Sequence, residues 1–294
     1  MATLEMSTNF PPKVVAGMFN TVRGKSSLAK LAQQMPVAFT GNSIFTFAMD
    51  TDVAIVAESG EKAAGGVTAA PVTIQPIKIE YGARVSDEFM YAAEEDQLNI
   101  IENFSEGFAR KLARAIDIIG MHGMNPRTLQ VSQLVTSYID DDAATVEYDS
   151  TSDSADAKVE EAVGKLGAYD ATGIALSKGF AADLAKLTAN GVKLYPELAW
   201  GGQPEALNGL ACSVNSTVDA GDVDLAIVGD FSAFRWGYAK QIPMEVIQYG
   251  DPDNTGKDLK GHNQVYLRAE AYIGCAVLDS NAFVCIVAED GASG

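Results

Sequence analysis

Ser43-Ile44-Phe45-Thr46-Phe47 alternates polar and apolar side chains. Ala54-Ile55-Val56-Ala57-Glu58-Ser59-Gly60-Glu61 carries a β-rich run, Val53 to Ala57, into a turn, and Val72, Ile74, Ile77 and Ile79 resume the pattern beyond Gly65 and Gly66. A two-residue period with glycines between its arms predicts a long β-hairpin. Its tip, Glu61 to Ala70, is dominated by small residues around Lys62. Such a tip has little with which to pack on its own molecule, and a two-stranded ribbon is marginal alone in water. The hairpin is therefore expected to lean on a neighbouring molecule.

Upstream, Met1 to Met35 has Pro11-Pro12, two glycines and a basic excess from Lys13, Arg23, Lys25 and Lys30, with no sustained helical or strand period. It reads as an arm that has no core of its own and is ordered only on assembly. Downstream, Leu98, Ile101, Phe104, Phe108, Leu112, Ala115 and Ile119 recur at steps of three and four, which predicts one amphipathic helix over Glu94–Gly120, roughly 40 Å long. Gly120, Gly123 and Asn125-Pro126 end it, and Val131 to Ile139 is expected to be a strand. The acidic, Ser/Thr-rich stretch from Asp140 to Asp156 reads as a solvated connection and a domain boundary. Beyond it, helices are predicted at Ala155–Leu166 and Lys178–Leu187. Strands are predicted at Leu210–Val214, Leu225–Val228, Met244–Gln248, Gln264–Val277 and Ala282–Ala288, with a polar loop from Gly250 to Asn263. The fold class is α+β.

Composition narrows the function. The 294 residues hold 21 Lys and Arg against 39 Asp and Glu, a net charge of −18. That sign disfavours a protein built to grip phosphate backbones. An apolar fraction of 47% fits a folded globule. No apolar run approaches the ~20 residues of a membrane span, and Met1–Asn20 lacks the pattern of a signal peptide, so folding in cytoplasm is expected. Cys212, Cys275 and Cys285 lie in apolar segments and read as buried thiols.

Catalytic patterns are near misses. Gly24-Lys25-Ser26 lacks the first glycine of a phosphate loop, with Phe19 in its place. Asp251, Asp253, Thr255 and Gly256 copy half of a calcium loop, but His262 stands where a bidentate glutamate is required, so a plain Asp/Asn/Gly turn is expected. His122 and His262 are the only histidines. His122, between Gly120 and Gly123, is expected to cap or pack, and no GxSxG elbow presents a serine. No cofactor and no metal site is expected.

A resemblance extends this. Ala54 to Glu61, followed by Ile74-Gln75-Pro76-Ile77-Lys78-Ile79 and Arg84-Val85-Ser86-Asp87-Glu88-Phe89, resembles successive motifs of tailed-phage major capsid proteins. Asp117-Ile118-Ile119-Gly120 before Asn125-Pro126 is similar to that family's helix end. Ala175-Leu176-Ser177, Leu184 to Gly191, Leu194-Tyr195-Pro196 and Leu207-Asn208-Gly209 resemble its central segments. Ala226 to Ser232, with Gly229-Asp230-Phe231-Ser232, and Val265 to Glu270, Gly274 and Asp279 to Phe283 resemble its closing marks. Ile55 replaces the common tryptophan.

The resemblance implies the Hong Kong ninety-seven type capsid fold: an N-terminal arm at 1–36, an extended β-hairpin loop at 37–80, a peripheral domain with a long spine helix at 81–150 and 259–290, and an axial domain at 151–258. It implies a structural, non-enzymatic protein that self-assembles as pentamers and hexamers into an icosahedral shell, located in the virion and assembled in host cytoplasm. The shell would enclose double-stranded DNA without reading its sequence, with scaffolding, portal and decoration proteins as further partners and no membrane. Glu58, Glu61 and Lys62 would make intersubunit contacts. Some relatives join subunits by an isopeptide bond, for which Lys62, Asn263 and Glu270 are the candidates here. The odd separation of Asn263 and Glu270 requires a loop start or bulge at Asn263. An encapsulin-like nanocompartment shell and a monomeric enzyme are the alternatives.

Overall fold

The alternation at 43–47 and 72–79 closes as a hairpin in the computed structural model, which describes residues 12–49, 53–56, 58–60, 62, 64–91, 94–221, 224–239 and 244–289. Ahead of the hairpin stand α1 (Pro12–Lys25) and α2 (Ser27–Leu31). Pro12 sits where a missing N–H costs nothing, and Arg23 and Lys25 fall in the last turn, where positive charge suits the helix dipole. Ser26 caps α2 by accepting from the Ala29 N–H at 3.0 Å.

These helices correct the expectation of an unpatterned arm. Met18, Val22 and Leu28 are buried in the main core, and Phe19 meets Tyr238 edge-on at 5.0 Å. So short a stripe, broken by Gly17, Asn20 and Gly24, gives too weak a period to read, yet tertiary contact stabilises it. Residues 12–35 are thus ordered against their own subunit, while 1–11 lie outside the described residues.

β1 (Asn42–Met49) pairs antiparallel with β2 (Val67–Ile74), from Asn42↔Ile74 to Met49↔Val67. The run expected at Val53–Ala57 is irregular over 53–56, and Ala57 lies outside the described residues. β3 (Ile77–Ser86) follows, then α3 (Glu94–His122), 29 residues and so about 43 Å long. The strand expected at 131–139 is absent: Val131 forms one bridge with Met124, Leu134 is exposed and Ile139 is buried at the start of a single 3₁₀ turn, Ile139–Asp141. The stretch read as a solvated connection contains β4 (Ala144–Tyr148), whose Val146 and Tyr148 face the core.

Next come α4 (Ala155–Lys165), β5 (Gly173–Leu176) and α5 (Lys178–Lys186), then the short pairs β6 (Thr188–Ala189) with β7 (Val192–Lys193) and β8 (Ala206–Leu207) with β9 (Leu210–Val214). β10 (Asp224–Gly229), β11 (Phe234–Tyr238), β12 (Met244–Ile247), β13 (Gln264–Val277) and β14 (Phe283–Ala288) complete the chain.

Two sheets carry the body. One is centred on β13, whose 14 residues pair with β3 along one edge and with β12 and then β11 along the other. Phe108, Leu112 and Ile116 of α3 share a core with Ala269, Ala271 and Ile273 of that strand. The other has the order β4-β14-β10-β5-β9-β8. Its central strands are buried on both faces, and α4 and α5 supply Ala162, Phe180 and Leu184. The arm joins the first sheet: the Met35 N–H donates to Trp236 O at 2.8 Å. A Cβ at Gly237 would lie 1.7 Å from Met35 O, so this close approach requires glycine. Cys212, Cys275 and Cys285 are free thiols, and burial pushes Cys212 up to about 11 and Cys275 to about 12.

Candidate assembly surfaces

The hairpin carries apolar side chains that its own subunit leaves bare. Its base is anchored by Ile74, packed with Val37 and Ala276 and joined by Ile44 and Val72. Phe45 is 63% exposed, and Val53 and Ile55 are fully exposed. After α5, Trp200 is fully exposed with a left-handed backbone (φ 60°), and Val192 and Leu194 are exposed nearby in sequence. Sequence reasoning missed this second patch. A tryptophan followed by Gly201-Gly202, soon after Pro196, was the available signal.

The residues singled out in the sequence are not gathered at one place. Glu58 and Lys62 are exposed, and Glu61 lies outside the described residues. Asn263 ends the polar loop in a left-handed conformation (φ 53°, ψ 49°), and its carbonyl accepts from the Asp87 N–H at 2.9 Å. Glu270 sits seven residues on along β13, about 23 Å away at ~3.3 Å per strand residue. Its carboxylate pairs with Lys78 Nζ at 2.6 Å across the β13–β3 register and lies 3.6 Å from Arg268 Nε. The hydrogen bond to Glu270 raises Lys78 above its ordinary pKa.

The half-formed calcium loop has a different occupant. Arg84 of β3 enters it, donating from Nε to Asp253 Oδ2 at 2.8 Å and from Nη2 to Asp251 Oδ1 at 2.6 Å, Thr255 Oγ1 at 2.7 Å and Lys257 O at 2.9 Å. A planar guanidinium supplies the positive centre that the carboxylates converge on. The hydrogen bond from Arg84 holds Asp253 well below the usual carboxylate range. A carboxylate with lowered pKa contributes to order above the unfolded value, about 4, and loses that contribution as pH falls through the lowered one. Arg84→Met is expected to accelerate amide hydrogen exchange in residues 250–258 at neutral pH while the β13 core keeps its protection. Unchanged exchange in that loop would show that the clamp does not order it.

A strut-like helix against one sheet, a second sheet, and a hairpin whose Phe45, Val53 and Ile55 stay bare in their own subunit are the marks of a structural protein that works by contact with other chains. The model of the Phage capsid family matches residues 9–288, and the chain belongs to that family. It is a structural capsid shell protein and a component of the virion. A solved chain from Mycobacterium phage Ogopogo is 33% identical, with a TM-score of 0.77, over 90% of this chain and 92% of that one. One from Gordonia phage Cozz is 26% identical with a TM-score of 0.73, over 90% and 87%. The fold also recurs in the capsid of a native GTA particle, at 17% identity and a TM-score of 0.63, over 98% and 95%. No curated protein matches the chain. The α+β capsid fold expected from the resemblance is the fold observed, and neither the nanocompartment nor the enzyme reading is favoured. Among the described residues, no helix is long and apolar enough to cross a membrane.

Proposed function

We propose that this chain assembles as pentamers and hexamers into a closed icosahedral shell around double-stranded DNA, which it confines without reading its sequence. The uncovered apolar hairpin carries the reading, because burying Phe45, Val53 and Ile55 requires a second molecule. In this proposal residues 1–36 form the arm, 37–80 the extended loop, 81–150 with 259–290 the peripheral domain and 151–258 the axial domain. Glu58, Glu61 and Lys62 orient neighbours through charge, an effect on specificity more than on affinity. Assembly takes place in host cytoplasm, with scaffolding, portal and decoration proteins as partners, and the net charge of −18 keeps free subunits from gripping DNA. Negative-stain microscopy of the purified chain is expected to show closed shells of uniform size. A chain that stays monomeric, with and without coexpressed partners, would refute the proposal.

The isopeptide bond is a separate proposal with the same three residues, Lys62, Asn263 and Glu270. Their spacing along β13 means that the asparagine and the glutamate would come from different subunits, and Glu270 would have to exchange Lys78 for the incoming pair. Boiling mature particles in detergent tests it: ladders of linked subunits that vanish in Lys62→Ala are expected, and a single band near the chain mass rules the bond out.

A further inference from the structure

His122, Asp140 and Asp224 come together in the interior although 18 and 84 residues separate them in sequence. Among the described residues, theirs is the one group of three His, Cys, Asp or Glu side chains with ligand atoms all within 4.8 Å of one another. His122 is the last residue of α3, Asp140 stands in the turn Ile139–Asp141, and Asp224 opens β10. Their side chains are 0%, 10% and 1% exposed.

The imidazole is oriented from behind. His122 Nε2 lies 3.0 Å from Thr217 O, a carbonyl that can only accept, so the proton is fixed on Nε2. Nδ1 then faces the two carboxylates, 2.9 Å from Asp140 Oδ2 and 3.7 Å from Asp224 Oδ2. A backbone carbonyl holding the far N–H is the arrangement that orients metal-bound histidines. The carboxylates are also short of partners: Asp140 Oδ1 and both oxygens of Asp224 are buried without a hydrogen bond. His122 is the sole basic side chain paired with either of them among the described residues. One imidazolium balances one carboxylate, and the second keeps no countercharge of its own, with the buried Cys285 thiol beside Asp224 as a weak donor.

We propose that His122 Nδ1, Asp140 and Asp224 bind a divalent transition-metal ion, of which Zn²⁺ is the representative. Two ligands about 2.1 Å from one tetrahedral ion lie about 3.4 Å apart, between the two separations seen here. Neutral imidazole with two carboxylates and a 2+ ion is a charge-neutral site, and each carboxylate gains a strong partner for one of its oxygens. One nitrogen among the donors favours Zn²⁺ or a similar ion over Ca²⁺ and Mg²⁺, which prefer all-oxygen ligand sets. The ion would tie the end of the spine helix to the 139–141 turn and to the first residue of β10. The competing occupant is a proton, since burial pushes Asp224 up to about 7.

The test uses the full chain, stripped with chelator, incubated with Zn²⁺ and gel-filtered. Retention of about one Zn²⁺ per chain and a raised melting temperature are expected. Asp224→Asn and Asp140→Asn should each weaken retention by more than tenfold, since even outer-shell partners of a metal ligand are worth about 10–100-fold. Wild-type chain that retains no zinc overturns the proposal, as does full retention in both variants. Co²⁺ removes dependence on the variants' folding: intense visible bands of a four- or five-coordinate ion support the site, and the spectrum of the hexaaquo ion overturns it.

Discussion

Asp117→Ala is expected to lower stability by about 2–4 kcal/mol, because several buried neutral donors lose their acceptor, each at a cost of about 1–3 kcal/mol before relaxation. Asp117 lies on α3, fully buried, and gathers donors from two separate segments, 26–28 and 215–217. Ser26 Oγ donates at 2.6 Å, the Ser27 and Leu28 N–H groups at 3.0 Å each, Thr217 Oγ1 at 2.7 Å and Asn215 Nδ2 at 3.1 Å. Two of these are N–H groups at the start of α2, so the spine helix holds the arm by its helix end. Burial pushes the Asp117 pKa up, and the bonds from Ser26, Leu28, Ser27 and Thr217 pull it back. Alanine would strand the buried donors of Ser26, Ser27, Leu28 and Thr217, while Asn215 Nδ2 keeps its bond to Lys25 O at 2.9 Å. Asparagine is a poor rescue, because its NH₂ would face N–H and O–H groups that already donate. Thermal unfolding of the two variants beside the wild type measures the effect. A loss below about 1 kcal/mol, the worth of one ordinary hydrogen bond, would mean that the arm is held by apolar contact alone.

That anchor shows where the sequence was legible and where it was not. α3, β13 and β14 lie close to their expected bounds because long segments with an unbroken period advertise themselves. α4 and α5 were readable for the same reason. α1 and α2 were hidden, since Met18, Val22 and Leu28 make a stripe too short to stand out against Gly17 and Gly24; what stabilises them is Asp117, some ninety residues away. β11 and β4 escaped because each is five residues long and is defined by its neighbour, β13 or β14, and not by its own alternation. The reading of His122 as a packing residue recognised that it was inside, but nothing local points to Asp140 and Asp224. Function was legible only through ordered family marks. The chemistry that singles out a shell protein, apolar surface left uncovered by its own subunit, appears once the fold shows which residues stay bare.

Replacing residues 45–71 by Asn-Gly is expected to abolish shell formation while leaving the subunit folded. Ile44 and Val72 are register partners, so a two-residue turn between them closes the ribbon without shifting β1 against β2. The base stays intact: Gly41, Ile74, Val37 and Ala276 keep their contacts, and β3 begins beyond the change. Of the described residues in the deleted part, Phe45, Val53 and Ile55 are exposed, and the hairpin is a separate two-stranded sheet. Its apolar surface gains free energy only when another molecule covers it, at about 25 cal/mol per Å². Because each contact is repeated around a closed assembly, a loss of even ~1.4 kcal/mol per contact is tenfold in each step and compounds over the whole shell. The shortened chain should therefore melt within a few degrees of the wild type, elute as free subunits or single capsomers, and show no particles by microscopy. Shells of normal size from this variant would show that the hairpin is not the element that joins neighbours, and the bare patch at Trp200, Val192 and Leu194 would then carry the contact.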